Sequence, residues 1–409
     1  LKVWLFSLCL LLAGVAQAQD AWPQYRGPNR DGISQTKNIL KSWPETGPKQ
    51  LWKVSIGTGF SAIAVKDGGV FTLFADGERE YLGRFDEATG KESWRLDVGA
   101  LFKDSFGDGP RSGPVIDGDV VYGLGSNGEL HAANQKTGKE IWKLSFPEAM
   151  KGEVARWGYS STPMIDGNRL VVEVGGGDQR GIAALDKTTG KVLWSVYNGK
   201  TGYASPIVIN FKGQKQYVFI GTQPAEPNSA PPQELVGIST EGKVLWTQKI
   251  PGFTVAMPIF VGPDKIFVSA SNDDGCRLFQ LQEKDGTITS TQLWESRFMK
   301  NHFNSSVVYD GHVFGFSNAT LTCLSLETGE KKWTKRGLGK GSLILVEDRF
   351  MVLSDRGRLL MIEASSEGYK EINGFQALEG KSWTEPTAAD GKLFLRNLQE
   401  MSCINLRKS

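Results

Sequence analysis

Three histidines and four cysteines are all that these 409 residues offer to thiol or soft-metal chemistry. Cys9 lies in an apolar leader, and Cys276, Cys323 and Cys403 are too widely spaced for a disulfide framework or a Cys-x-x-Cys redox or zinc pair. His131, His302 and His312 are equally scattered, which leaves little material for a histidine-rich metal site or a Ser/His/Asp triad. Charge of one sign is also lacking. With 47 basic against 45 acidic residues and no basic run, nothing points to nucleic acid. The leader is too short to span a bilayer, so no membrane span is expected. No Pro-, Ser- or charge-rich linker divides the chain, so a single large domain is expected despite the length.

Residues 1–18 read as a secretory signal peptide: Lys2, the apolar stretch Leu5 to Val15, then Ala16-Gln17-Ala18 as a small-x-small cleavage site. The expected location is periplasmic or secreted, and Cys9 sits inside the stretch rather than after the cleavage point, so no lipid anchor is indicated. Residues 19–50 form an irregular N-terminal segment, expected over one face or the side of the fold, with a lid as one arrangement. Residues 51–409 form the repeat domain.

Glycine is what the chain has in excess, 49 residues where about 7% is usual. It recurs with tryptophan. Thr89-Gly90-Lys91 leads to Trp94, Thr137-Gly138-Lys139 to Trp142, Thr189-Gly190-Lys191 to Trp194, and Thr328-Gly329-Glu330 to Trp333. Glu241-Gly242-Lys243 before Trp246 and Asp285-Gly286 before Trp294 are degenerate copies. Each copy expands into four short apolar segments separated by glycine turns, a four-stranded antiparallel unit. Such a unit is apolar on both faces and must stack on its neighbours, which favours a closed β-propeller.

Repeats begin at Ser61, Ser112, Ser161, Ala204, Ala256, Asn304, Ser342 and Thr384, which predicts an all-β, eight-bladed propeller of four-stranded blades. The last copy has three strands, and Leu51 to Val54, with Trp52 in the repeat position, is expected to supply the fourth. Seven blades is the fallback, because the copy from Gly341 to Ile372 has lost its tryptophan. Cys323 and Cys403 fall at the start of third strands and are expected in the core.

The connection between blades should bring one position per repeat to the mouth of the central channel. Counting three residues back from the repeat prolines gives Phe60, Arg111, Ser160, Tyr203, Val255, Phe303, Lys340 and Trp383, with Trp157, Tyr159, Asn301 and His302 alongside. Candidate ligand-binding residues are Arg111, Trp157, Tyr203, Asn301, His302, Lys340 and Trp383. Arg111, His302 and Lys340 would form a positive rim and the aromatics flat walls, suited to a small planar or anionic ligand. No catalytic or metal-ligating set stands out; Glu385 is the carboxylate near the ring.

The run Leu-Asp-Lys-Thr-Thr-Gly-Lys-Val-Leu-Trp at 185–194 resembles the pyrroloquinoline quinone (PQQ)-like repeats of bacterial propellers, over nearly the whole chain after the leader. Trp22 to Gly32, Lys300 to Phe303 and Gly337 to Ser342 look like a secreted group of unestablished activity. The resemblance implies that Trp52, Trp94, Trp142, Trp194, Trp246, Trp294 and Trp333 pack structurally onto neighbouring blades. It also relates the chain to quinoprotein alcohol dehydrogenases, which hold PQQ with calcium on the axis, and to the outer-membrane protein assembly factor propeller. No two cysteines are adjacent and no Cys-x-x-Cys-His occurs, two departures from the dehydrogenases. The expectation is therefore a monomeric binding or assembly scaffold without cofactor, with an envelope protein, a polysaccharide or a small planar or anionic molecule as partner. A PQQ-dependent alcohol or sugar dehydrogenase is the alternative.

Overall fold

The computed structural model describes residues 20–225, 231–250, 252–271 and 274–407; the signal-peptide reading lies outside them. Eight sheets form the propeller, seven of four strands and one of five. In the second blade the strands are Val115–Asp117, Val120–Leu124, Glu129–Asn134 and Glu140–Ser145. The ring closes as expected. Gln50–Ser55 pairs antiparallel with Glu400–Asn405, with Trp52 opposite Cys403 and Val54 opposite Met401.

The repeated tryptophan and glycine explain each other. Trp94 donates its indole N–H to the Gln135 carbonyl of the next blade (3.1 Å), and Trp142 to Lys187 (3.0 Å). Gly90 has φ 72°, and a Cβ there would lie 2.7 Å from the Trp52 ring. Only glycine gives both the left-handed turn and the space for the indole. Because Trp52 belongs to the last blade and Gly90 to the first, the same contact seals the seam. Trp246 departs from the pattern: its N–H goes to Gln216 of its own blade (2.7 Å), where the following turn is the degenerate Asp285-Gly286. Cys323 and Cys403 are fully buried, in the middle of Thr320–Ser325 and Glu400–Asn405 rather than at their starts.

The N-terminal segment is not a lid. It runs across the axis below the mouth and fastens blade after blade. Trp22 bridges to Val65, Pro23 accepts from Ile116 N–H (2.8 Å), and Arg30 donates to the Thr162 and Pro163 carbonyls. Ile33–Ser34 adds a parallel strand to the inner strand Ser342–Val346, which makes the five-stranded sheet. A segment with no apolar period is held here by polar contacts to inner strands and by single apolar anchors, Trp22, Ile39 and Trp43, buried in the core.

Candidate functional site

Side chains two apart on an extended chain share a face, so the segment leading into each inner strand shows the channel two residues in succession. Phe60, Ser160, Tyr203 and Val255 form an upper tier, and Ala62, Thr162, Ser205 and Met257 a lower one, around a single cavity of about 290 Å³. The lower tier ties blade to blade: Gly113 N–H donates to Thr162 Oγ1 (2.9 Å), Thr162 N–H to Ser205 Oγ (2.8 Å), and Met257 N–H to Ser305 Oγ (2.9 Å). The N-terminal segment closes this end, with Tyr25 in the cavity lining. Beneath it Arg26 Nη1 reaches both oxygens of Glu385 at 2.8 and 2.9 Å. Both side chains are buried, and Arg26 also donates to the Ser305 and Ser306 carbonyls. Burial pushes the Glu385 carboxyl up, opposed by the Arg26 charge.

The upper tier is aromatic. Trp383 stacks on Phe303 with centroids 4.5 Å apart and contacts Phe60 at 5.7 Å. Opposite, Trp157 meets Tyr203 at 5.0 Å and Phe253 at 5.8 Å. Phe106, on the connection between the first two blades, touches both walls: 6.2 Å from Trp157 and 6.1 Å from Trp383. It is 44% exposed and roofs the cup.

Of the seven candidate residues, Arg111, Trp157, Tyr203, His302 and Trp383 line the cavity. Asn301 and Lys340 do not. Asn301 is buried, its backbone N–H donating to Ser269 Oγ (2.9 Å) and its amide to the Phe316 carbonyl (3.2 Å). The Lys340 backbone N–H is tied to Asp355 (3.2 Å). Arg111 is a wall support rather than a carboxylate clamp: it donates to the Gly109 and Gly107 carbonyls, pairs with Asp104 at 3.3 Å, and lies over Phe60 and Phe102. His302 Nδ1 is buried without a hydrogen-bond partner, and burial, with Lys340 nearby, lowers its pKa and favours the neutral ring. His131 pairs with Glu140 (2.7 Å) and His312 with the Asp310 carbonyl (2.6 Å), both away from the cup.

Sequence reasoning missed Arg156 and Lys381, which lie over the Trp157 and Trp383 rings at 5.5 and 4.5 Å. Their signal is proximity in sequence, Arg-Trp and Lys-Ser-Trp. It also missed Tyr25 and Phe106, which belong to segments without a repeat.

A closed, eight-bladed propeller with an aromatic cup at one end of its axis defines the class. Residues 78–335 and 229–406 match the family described as outer membrane protein assembly factor BamB, and the chain belongs to this family of PQQ-like repeat propellers. It is 24% identical to the assembly factor BamB of Shigella dysenteriae over 335 residues, 69% of this chain and 81% of that one. It is 31% identical to the quinohemoprotein alcohol dehydrogenase ADH IIB of Pseudomonas putida over 219 residues, 48% of this chain and only 31% of the dehydrogenase. The solved quinohemoprotein alcohol dehydrogenase of Comamonas testosteroni superposes with a TM-score of 0.68 at 12% identity, over 95% of this chain and 81% of that one. At such identity the likeness is one of fold. No helix among the described residues is long and apolar enough to cross a membrane.

Proposed function

We propose that this chain is a non-enzymatic binding scaffold, acting in the periplasm or outside the cell, whose binding seat is the aromatic cup at the channel mouth. The observation that carries the reading is the contrast within the cavity. Its aromatic walls line open space, while Glu385, its one lining carboxylate, is taken up by Arg26. A site with stacking faces and no free carboxylate favours binding over chemistry. The name of the assembly-factor relatives is consistent with a scaffold, with an envelope protein as the larger partner and a small molecule in the cup.

The competing reading, a PQQ-dependent dehydrogenase, needs calcium beside the quinone. Calcium takes six to eight oxygen ligands. Glu385 is held by a guanidinium, and no cluster of three His, Cys, Asp or Glu able to hold a metal occurs among the described residues. The residues present do not fit that pair.

Addition of PQQ and calcium to the purified protein, followed by thermal melting and by dye reduction with alcohols or sugars, separates the two readings. No shift and no turnover is the expected result. Stabilisation with turnover would establish the dehydrogenase and remove the scaffold.

A further inference from the structure

The cup has a charge preference carried by residues outside the register positions. Trp157 and Trp383 face each other across Phe106, and each already has a cation over its ring, Arg156 at 5.5 Å and Lys381 at 4.5 Å. Both cations are exposed. Lys381 Nζ donates one hydrogen bond, to the Phe106 carbonyl at 2.6 Å, and an ammonium has three donors. Arg156 makes no hydrogen bond or ion pair among the described residues.

These positions decide between the ligands an aromatic cup can take. A ligand ammonium would meet rings whose cation–π attraction is already engaged, and two like charges beside them. The buried carboxylate that could offset the repulsion, Glu385, is neutralised by Arg26. An anion meets the opposite situation, a free guanidinium fork and a lysine with donors to spare. Size narrows the choice again. At about 290 Å³ the cavity lies at the lower limit of small-molecule sites, about 300–1,000 Å³. Tyr25 closes the floor and Phe106 the roof, so a polymer cannot thread through.

Resting on the binding role proposed above, we infer that the cup takes one planar aromatic system of one or two fused rings bearing a single negative charge. The ring lies between the Trp157–Tyr203 wall and the Phe303–Trp383 wall, with the anionic group at the rim toward Arg156 and Lys381.

The test is a calorimetric titration of the whole protein with three probes of one shape: 2-naphthoate, 2-naphthamide and 2-naphthylmethylamine. The naphthoate should bind roughly tenfold more tightly than the amide, and the amine most weakly. Raising salt from about 0.05 to about 0.5 M should shrink the lead of the anion, because rim charges are screened. Arg156→Ala with Lys381→Ala should bring the naphthoate to the level of the amide and leave the amide unchanged; both side chains are exposed, so folding is retained. Equal binding of all three, or tightest binding of the amine, overturns the charge preference and leaves the cup a binding site. Binding of none, or binding unchanged in Trp383→Ala, overturns the cup itself.

Discussion

The two ends of the axis are built on opposite principles. At the closed end the polar groups are engaged in cross-links: Arg26 meets Glu385, Arg30 donates to the Thr162 and Pro163 carbonyls, and the lower-tier hydroxyls accept backbone N–H groups from the preceding blade. At the open end the faces are aromatic and the buried acid behind them is alone. Glu173, 3% exposed, accepts one bond from Gly202 N–H (2.9 Å) beside Tyr203, and its other oxygen has no partner. Burial raises its pKa to about 8, with only that hydrogen bond opposing. The closed end spends its polar groups on holding blades together, and the open end keeps surfaces in reserve. That division is what a scaffold with a seat requires.

Breaking the closed end should have the largest effect. Arg26→Ala leaves Glu385 buried without its cation, and removal of one member of a buried ion pair costs about 3–5 kcal/mol. Denaturant unfolding should show that loss at pH 7. Replacing both members by apolar residues, Arg26→Met with Glu385→Leu, should recover most of it, since the desolvation cost disappears with the charges. A single variant as stable as the parent would mean that the pair does not hold the plug.

The acid behind the cup gives an intermediate, pH-dependent effect. The folded protein keeps the Glu173 proton up to about pH 8, whereas the unfolded chain releases it near the ordinary glutamate value of 4.5. Between those values the native state binds more protons, so stability falls as pH rises, by at most ~1.4 kcal/mol per pH unit for one group. Glu173→Gln removes this slope, and the variant should gain on the parent steadily from pH 5 to pH 8. Parallel stability curves for the two proteins would place the Glu173 proton elsewhere.

What could be read from sequence follows the same division. The repeat spacing of Trp52, Trp94 and the later tryptophans carried the blade count and the seam, because packing against a neighbour imposes one residue type at one place in every copy. The register position also led to the upper tier, since inner strands enter the channel alike. Of its eight members only Lys340 falls outside the lining, and Asn301 turns inward to fasten Phe316 and Ser269. The plug was illegible for a physical reason: Trp22 to Ser34 is a single copy, held by hydrogen bonds to the backbone of distant blades and by the burial of Trp22, and neither period nor composition encodes such partners. Arg111 showed its charge in the sequence but not its commitments, which depend on how the turn at Asp104 to Gly109 folds back.

The smallest energetic effect, and the sharpest contrast with Arg26, is expected at Phe106. Its ring is 44% exposed and touches the two tryptophan walls only at its margins, at centroid distances of 6.1 and 6.2 Å. Phe106→Ala should therefore change stability by no more than ~1 kcal/mol, in the range of substitutions outside the core. Its consequence should be kinetic. With the roof removed, entry and exit of a cup ligand both become faster, so stopped-flow traces should show association and dissociation rates rising together by up to about tenfold, with a smaller change in Kd. Arg26→Ala should do the reverse, lowering stability while leaving those rates as they are in the protein that remains folded. If Phe106→Ala instead weakened binding through dissociation alone, the ring would be a wall of the seat rather than its roof, and the open end would be as fully committed as the closed one.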